Sequence, residues 1–202
     1  MSRVLPPSQL AAALQGGALA LFPTDTLPAL AAAPAHAASL WGCKARPQHK
    51  PLILMGADLE QLVAFLGLPW SEAWLGQARR SWPGAVTLVL PLSGPVTQRL
   101  HPGGTSLGLR VPACAQAQEL LRLSGPLATT SANRSGEPAA ADATEAAAIF
   151  PDLPLLGPLP WPRGSGVAST VMAWEPQGAG SADWRLLRAG ASLPMEEPGP
   201  GC

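Results

Sequence analysis

Short apolar runs bounded by glycine and proline constrain the fold of this chain more than any other feature. Val86–Leu90 (VTLVL), Leu107–Val111 (LGLRV) and Leu127–Thr130 (LATT) are typical of strands buried inside a sheet. Longer segments with helical character, such as Leu59–Leu66 and Glu72–Ser81, alternate with them. This alternation predicts an α/β sheet with helices packed on it. Because some neighbouring strands have no helix between them, we expect a mixed sheet rather than a purely parallel one.

Proline modifies this prediction in two places. Pro28 interrupts the apolar run Leu27–Ala33, which is therefore predicted to form an irregular or edge strand. Prolines recur through Pro151–Gly166, which is predicted to be rich in loops. The other predicted elements are helices over 8–16, 35–43, 113–123 and 142–149, and strands over 18–22, 51–55, 170–174 and 184–187.

Length and composition fit a single domain. The 202 residues are 47% hydrophobic, which is enough for a core, so we expect one domain over residues 1–192. Prolines recur in the last ten residues, and 193–202 are predicted to be a disordered tail. The three cysteines include no CxxC pair and the three histidines show no ligand spacing. These patterns argue against a disulfide framework and against a zinc site.

Charge is scarce and balanced. Only 13% of the residues are charged and the formal net charge is zero, so no global basic field favours non-specific nucleic-acid binding. Recognition of phosphate must then come from a local cluster. The apolar stretch Leu10–Phe22 is split by Gln15, Gly16 and Gly17, and no run reaches the length of a membrane span. We therefore expect a cytoplasmic protein without a membrane partner.

Positive charge is concentrated in one segment, Lys44–Lys50 (KARPQHK). The chain has only two lysines and both lie here, with Arg46 and His49 between them. Lysine offers a point charge and arginine a planar fork to the same oxygens, so the segment suits a phosphate-rich ligand. A solvated loop whose lysines aid solubility is the alternative.

Polar side chains also cluster where predicted strands end. Thr129–Asn133 (TTSAN) and Phe22–Thr26 (FPTDT) bring hydroxyl, amide and carboxylate groups to two such ends. Groups at the carboxyl end of a strand are placed to contact a ligand in a crevice, although turn capping is the alternative. Arg110 is the lone charge in LGLRVP, where it pairs with an acid or with a substrate carboxylate. Ser169 and Arg188, taken alone, allow either a structural or a functional interpretation.

The phosphate-binding motifs with known architecture are missing. The sequence contains no GxxxxGK[ST] and no GxGxxG opening a helix, so neither a P-loop nor a dinucleotide-binding fold is supported. The string GxSxG occurs once, at Gly104–Gly108, but it leads into a predicted strand rather than from a strand into a helix, so no nucleophile elbow is supported. A nucleotide would have to bind through another architecture.

Seven segments in order resemble the YrdC family of threonylcarbamoyl-AMP synthases. They are FPTDTLPAL (Phe22–Leu30), KARPQHKPL (Lys44–Leu52), WPGAVTLVL (Trp82–Leu90), LGLRVP (Leu107–Pro112), TTSANRSG (Thr129–Gly136), GVASTV (Gly166–Val171) and LLRAGA (Leu186–Ala191). Each segment alone is weak, but together they cover nearly the whole chain. The resemblance implies a YrdC-like α/β fold, in which a twisted mixed sheet with flanking helices surrounds a concave, positively lined cavity.

The resemblance also implies roles for particular residues. Lys44 and Arg46 match a pair that holds the ATP phosphates and supports catalysis, and Ser131 and Asn133 complete that tetrad. The positions implied on the ATP side are Lys44, Arg46, Gln48, Ser106, Asn133 and Arg188. The positions implied for threonine are Thr24, Arg110, Ser131 and Ser169, with Arg110 on the carboxylate. No side chain is assigned to a metal, and a magnesium ion is expected to accompany ATP.

The reaction implied needs no protein nucleophile. The threonine amine takes up bicarbonate or carbon dioxide, and the resulting carboxylate attacks the α-phosphate of ATP and expels pyrophosphate. A tRNA threonylcarbamoyl transferase would then receive the adenylate. Weak RNA binding is a further expectation. Two alternatives remain, namely a non-catalytic RNA-binding or ribosome-assembly module, and a carbamoyl transfer like that of hydrogenase-maturation proteins.

The sequence departs from the family pattern beside one of the implied threonine positions. The usual PT[DE]TVYGL is PTDTLPAL here, with Pro28 in place of tyrosine and Ala29 in place of glycine. Pro28 brings neither an aromatic ring nor a backbone N–H donor. We therefore expect the wall of the cavity to differ at this point.

Overall fold

The structure, a computed structural model, describes residues 3–178 and 181–192. The strands are β1 (Val4–Leu5), β2 (Ala20–Phe22), β3 (Ala29–Ala32), β4 (Ile53–Met55), β5 (Val86–Leu90), β6 (Leu107–Arg110), β7 (Leu127–Ser131), β8 (Leu155–Leu156), β9 (Thr170–Gly178) and β10 (Ser181–Arg188). The helices are α1 (Pro7–Gln15), α2 (Ala38–Lys44), α3 (Leu59–Leu66), α4 (Glu72–Ser81), α5 (Pro95–Leu100), α6 (Ala115–Ser124) and α7 (Ala143–Ile149). The predicted tail, 193–202, lies outside the described residues.

The ten strands form one twisted mixed sheet in the spatial order β1-β8-β2-β3-β7-β4-β6-β5-β9-β10. The pairs β4–β6 and β5–β9 are parallel, whereas β3–β7, β4–β7 and β5–β6 are antiparallel. The prediction of a mixed α/β sheet with flanking helices is therefore confirmed. In the part of the chain that the structure describes, no helix has both the length and the apolar character needed to cross a membrane.

Both faces of the sheet are buried, which explains the continuous apolar runs in the sequence. In β2, Leu21 packs on one face with Leu40 and Trp41 of α2, whereas Phe22 packs on the other face with Leu10 of α1. Two apolar clusters therefore cover the two sides. The strand ends emerge between these two layers, where polar side chains can meet.

The prediction that Leu27–Ala33 forms an irregular or edge strand is wrong. β3 is an interior strand, paired in antiparallel fashion with β2 on one side and with β7 on the other. Pro28 stands just before its first residue, Ala29, so no N–H is missing from the ladder. The carbonyl of Pro28 accepts a bond from the N–H of Ala132 at 2.9 Å.

Some short elements are not predicted from the sequence. β8 lies inside Pro151–Gly166 and joins β1 to β2 through parallel pairing, although it has only two residues. α5 has six residues and begins at Pro95. Segments this short contain too few residues to show a period in the sequence.

The interior position of β4 predicts a large stability loss for Leu54→Ala. Leu54 has no exposed surface and pairs with neighbours on both sides of its strand. We expect its truncation to lower the free energy of unfolding by about 2–5 kcal/mol, measured by urea denaturation. The control is Leu123→Ala on α6, where the side chain is 48% exposed and the expected change is about 0.5 kcal/mol or less. Equal losses would contradict the assignment of Leu54 to the core.

Candidate functional site

A cavity lies where β3, β4, β6 and β7 meet the loops that follow β2 and precede β9. Its apolar wall consists of Leu27, Pro28, Ala29, Pro51, Ile53, Met55 and Ala168. Its hydroxyl groups come from Thr24, Thr26, Thr129, Thr130, Ser131 and Ser169. Its cations are Arg46, Arg110 and Arg188. Three guanidinium groups and six hydroxyl groups make this cavity suited to an anionic ligand rich in oxygen.

The cavity gathers most of the residues that the sequence singled out, though not all of them. The predicted site residues that line it are Thr24, Arg46, Arg110, Ser131, Ser169 and Arg188. The predicted site residues outside its lining are Lys44, Gln48, Ser106 and Asn133. Two of these four, Lys44 and Asn133, contact the cavity residue Ser131 directly.

Arg110 is the most deeply buried of the three arginines, with 4% of its surface exposed. Its Nη2 donates to Asp25 Oδ1 at 2.7 Å, its Nη1 to Thr26 Oγ1 at 2.8 Å and its Nε to the carbonyl of Gly84 at 3.1 Å. Burial lowers the pKa of Arg110, and the charge of Asp25 opposes that effect. The sequence left open whether Arg110 pairs with an acidic side chain or with a substrate carboxylate, and the structure shows the acidic side chain, Asp25. Arg110 still faces the cavity.

The loop after β2 is fixed by its own hydroxyl groups. Thr24 Oγ1 donates to the carbonyl of Leu27 at 2.7 Å and accepts the N–H of Thr26 at 3.1 Å. The two threonine hydroxyls are 3.0 Å apart. Both side chains are almost fully buried, so the loop forms a rigid wall of the cavity. Turn capping and a place at the site therefore coexist in the same residues.

Ser169 is held from two sides. Its Oγ lies 2.8 Å from Thr87 Oγ1, and its carbonyl accepts a bond from Arg188 Nη2 at 2.8 Å. Thr87 belongs to β5, is 1% exposed and does not line the cavity. The orientation of Ser169 is thus set by a buried hydroxyl behind it and by a cation beside it.

Lys44 ends helix α2 instead of opening a loop, and its side chain is 1% exposed. Its ammonium group donates to the carbonyl of Ser131 at 2.5 Å, to Ser131 Oγ at 3.3 Å and to Asn133 Oδ1. These bonds occupy its three N–H groups. Burial, assisted by the positive charge of Arg46, lowers the pKa of Lys44 from its ordinary 10.5 to about 8.

The helix stops at Lys44 because Ala45 adopts a left-handed conformation, with φ of 51°. Arg46 follows in the loop and donates to the carbonyl of Pro51 at 3.1 Å, while its side chain reaches the cavity. Burial lowers the pKa of Arg46 as well. The two cations of this segment therefore sit on different sides of the cavity wall.

Gln48 and Ser106 lie elsewhere. Gln48 lines a separate surface depression with Trp41 and Gln98. The carbonyl of Ser106 bonds to Nδ1 of His101 at 2.9 Å. Neither residue is brought to the lining of the arginine-rich cavity.

Several residues that shape the cavity are not among the site residues predicted by the resemblance, although Asp25 and Thr26 belong to the predicted polar cluster Phe22–Thr26. Asp25 pairs with Arg110, Thr87 holds Ser169, and Thr26 donates and accepts at the centre of the loop. Asp25 is visible in the sequence as a carboxylate at a strand end. Thr87 gives a weaker signal, since it is a single hydroxyl inside the apolar run VTLVL. Over residues 3–178 and 181–192, no cluster of three or more His, Cys, Asp or Glu side chains could hold a metal ion.

The Sua5/YciO/YrdC family model, described as "Telomere recombination", matches residues 12–190. This match covers most of the chain, which therefore belongs to the Sua5/YciO/YrdC family. Curated relatives in this family carry the name threonylcarbamoyl-AMP synthase.

Two of these relatives are bacterial. The protein from Bacillus subtilis is 35% identical over 174 residues, which cover 82% of this chain and 49% of the relative. The protein from Chromohalobacter salexigens is 37% identical over 147 residues, which cover 69% of this chain and 77% of the relative. The chain therefore spans about half the length of the Bacillus relative.

Solved structures show the same fold. Pyrococcus abyssi Sua5 complexed with L-threonine has a TM-score of 0.80 at 31% identity, and the match covers 91% of this chain and 54% of that one. E. coli YciO has a TM-score of 0.77 at 20% identity, with 96% and 98% coverage. The likeness to YciO concerns the fold alone.

Lys44 predicts a pH-dependent stability. Its pKa is about 8 in the folded protein and is raised again on unfolding, so between pH 8 and 10.5 the unfolded chain binds more protons. The contribution of Lys44 to the free energy of unfolding should therefore rise with pH across this window. Urea unfolding of the native protein and of Lys44→Met would be compared at several pH values. Parallel pH profiles for the two proteins would contradict the prediction.

Proposed function

We propose that this chain is an L-threonylcarbamoyladenylate synthase, which forms threonylcarbamoyl-AMP and pyrophosphate from L-threonine, bicarbonate or carbon dioxide, and ATP. The observation that carries the proposal is the cavity itself, which buried Arg110, hydroxyl side chains and the loop cation Arg46 line together. The names of the curated relatives support it.

Threonine binds at the Arg110 side of the cavity. Arg110 takes the carboxylate, because its hydrogen bonds to the described residues occupy only three of its five N–H groups. Thr24, Ser131 and Ser169 line the same cavity and offer hydroxyl groups to the amino acid. The structure of Pyrococcus abyssi Sua5 complexed with L-threonine supports the choice of threonine as the ligand.

ATP binds on the side of Arg46 and Arg188. Arg46 contacts the phosphates directly, whereas Lys44 supplies charge from behind Ser131 and Asn133. Gln48 and Ser106 contact the nucleotide only where it extends beyond the cavity lining. Magnesium arrives on the ATP phosphates, since Asp25 is already paired with Arg110.

The chain's contribution to catalysis is positioning and electrostatic stabilisation. The threonine amine is carboxylated, its new carboxylate attacks the α-phosphate, and pyrophosphate leaves. Anions crowd together along this path, and Arg46, Arg110 and Arg188 hold them in one cavity while their charge offsets the repulsion. Buried hydroxyls fix the geometry without a protein nucleophile.

The product is a mixed anhydride that must pass to an acceptor. We place the protein in the cytoplasm, where a tRNA threonylcarbamoyl transferase would consume it to modify the adenosine next to the anticodon. The alternative of a non-catalytic RNA-binding module is less favoured, because Arg46, Arg110 and Arg188 lie in a cavity lined by small hydroxyl side chains. RNA binding depends instead on exposed basic surfaces with stacking aromatic groups.

The first test is pyrophosphate release. We expect release from ATP to require both L-threonine and bicarbonate, and threonylcarbamoyl-AMP to form in equal amount, because the adenylate and pyrophosphate arise in one step. Chromatography and a coupled pyrophosphate assay would measure the two products. Release that is independent of threonine, or salt-sensitive RNA binding without any turnover, would overturn the proposal.

Arg46→Ala should weaken the use of ATP. Loss of a charge-assisted bond to phosphate is expected to raise the KM for ATP about tenfold or more, with little change in Tm because Arg46 is only half-buried and lies in a loop. Arg122→Ala on α6, which removes an exposed arginine outside both the cavity and the depression that contains Gln48, is the control. An unchanged KM for ATP in Arg46→Ala would remove Arg46 from the proposed phosphate site.

A further inference from the structure

Asp25 contacts a cavity residue without lining the cavity. Its Oδ1 accepts a bond from Arg110 Nη2 at 2.7 Å, and the two side chains are 15% and 5% exposed. Thr24 and Thr26 on either side of it do line the cavity. The carboxylate therefore lies behind the guanidinium group and cannot be expected to touch a ligand itself.

The three bonds of Arg110 determine which of its donors remain. Nε, Nη1 and Nη2 each give one bond, to Gly84, Thr26 and Asp25 respectively. Each terminal nitrogen carries two N–H groups, so one remains on Nη1 and one on Nη2 without a partner among residues 3–178 and 181–192. Two such donors match the two oxygens of a carboxylate. The contacts to Asp25 and Thr26 thus fix the direction in which the pair of donors points.

The loop that carries Asp25 is in turn held by close backbone packing. The N–H of Ser165 donates to the carbonyl of Asp25 at 3.0 Å, and the N–H of Gly166 donates to the carbonyl of Thr26 at 3.1 Å. A Cβ at Gly164 would lie 2.3 Å from the carbonyl oxygen of Thr26 and 2.9 Å from that of Thr24. Only glycine allows this approach without a shift of the loop.

We propose that Asp25 is a positioning residue for the amino-acid substrate, acting through Arg110, and that Gly164 sets the position of Asp25. This inference rests on the proposed function, because it takes threonine as the ligand of Arg110. On the ATP side, Arg46 is held by the carbonyls of Lys50 and Pro51 and not by Asp25. Loss of Asp25 should therefore affect the use of threonine selectively.

The test compares two KM values in Asp25→Asn, which keeps the shape of the side chain and removes its charge. The KM for threonine should rise about tenfold or more, the order expected for loss of a charge-assisted hydrogen bond. The KM for ATP should stay within about twofold of that of the native protein. A folded Asp25→Asn protein with an unchanged KM for threonine, or with equal increases in both KM values, would overturn the inference.

Gly164→Ala supplies a second variant if Asp25→Asn fails to fold. It changes no charge and no polar side chain, yet must displace the loop, so the KM for threonine should again rise more than that for ATP. The matched control is Gly76→Ala on α4, where an added Cβ meets only Arg80 Nη1 at 3.6 Å. Both KM values should be unchanged there. A folded Gly164→Ala protein with the native KM for threonine would count against the inference.

Calorimetry with L-threonine separates this inference from the proposed function. If the native protein binds threonine but releases no pyrophosphate, the proposed reaction fails, and the Kd for threonine replaces its KM in the comparison of variants. If the native protein binds no threonine, both proposals fail. If the native protein turns over and the variants differ from it only in the KM or Kd for threonine, both proposals are supported.

Discussion

The buried guanidinium of Arg110 is the constraint on which the rest of the site depends. It stands on β6 inside a sheet whose faces are both apolar, where an unpaired charge would be strongly destabilising. Its compensation comes from three separate groups, namely the carboxylate of Asp25, the hydroxyl of Thr26 and the carbonyl of Gly84. These contacts bring the loop after β2 against the end of β6 and so enclose the cavity.

Much of this architecture could be predicted from the sequence. Continuous apolar runs indicate buried strands. Polar side chains at the ends of these strands indicate which residues line the cavity, but the sequence does not reveal how those residues are arranged. The prediction for β3 is wrong because the ladder depends on which residue first enters the sheet, and Pro28 stands one position outside it. Local sequence does not reveal that boundary, since it is set by pairing with β7, about a hundred residues further along the chain.

The position of Lys44 could not be predicted for a similar reason. The segment KARPQHK is polar, and its pattern is typical of a loop from the first residue onward. Helix α2 nevertheless continues through Lys44, and the ammonium group reaches Ser131 and Asn133, which are remote in sequence. Two residues of one short motif therefore differ in environment, because burial of Lys44 follows from tertiary contacts that no local pattern contains.

The backbone at Pro28 has a consequence for how this cavity can vary between related proteins. The residue joins the sheet through its carbonyl, which accepts from Ala132, while its side chain lines the cavity. The sheet takes no backbone N–H from position 28, so a residue without an N–H donor can stand there. Exchange of an aromatic ring for a pyrrolidine ring can then reshape the space around a ligand while leaving the hydrogen-bond ladder intact. A substitution at position 28 can therefore change the shape of the cavity while the backbone fold stays the same.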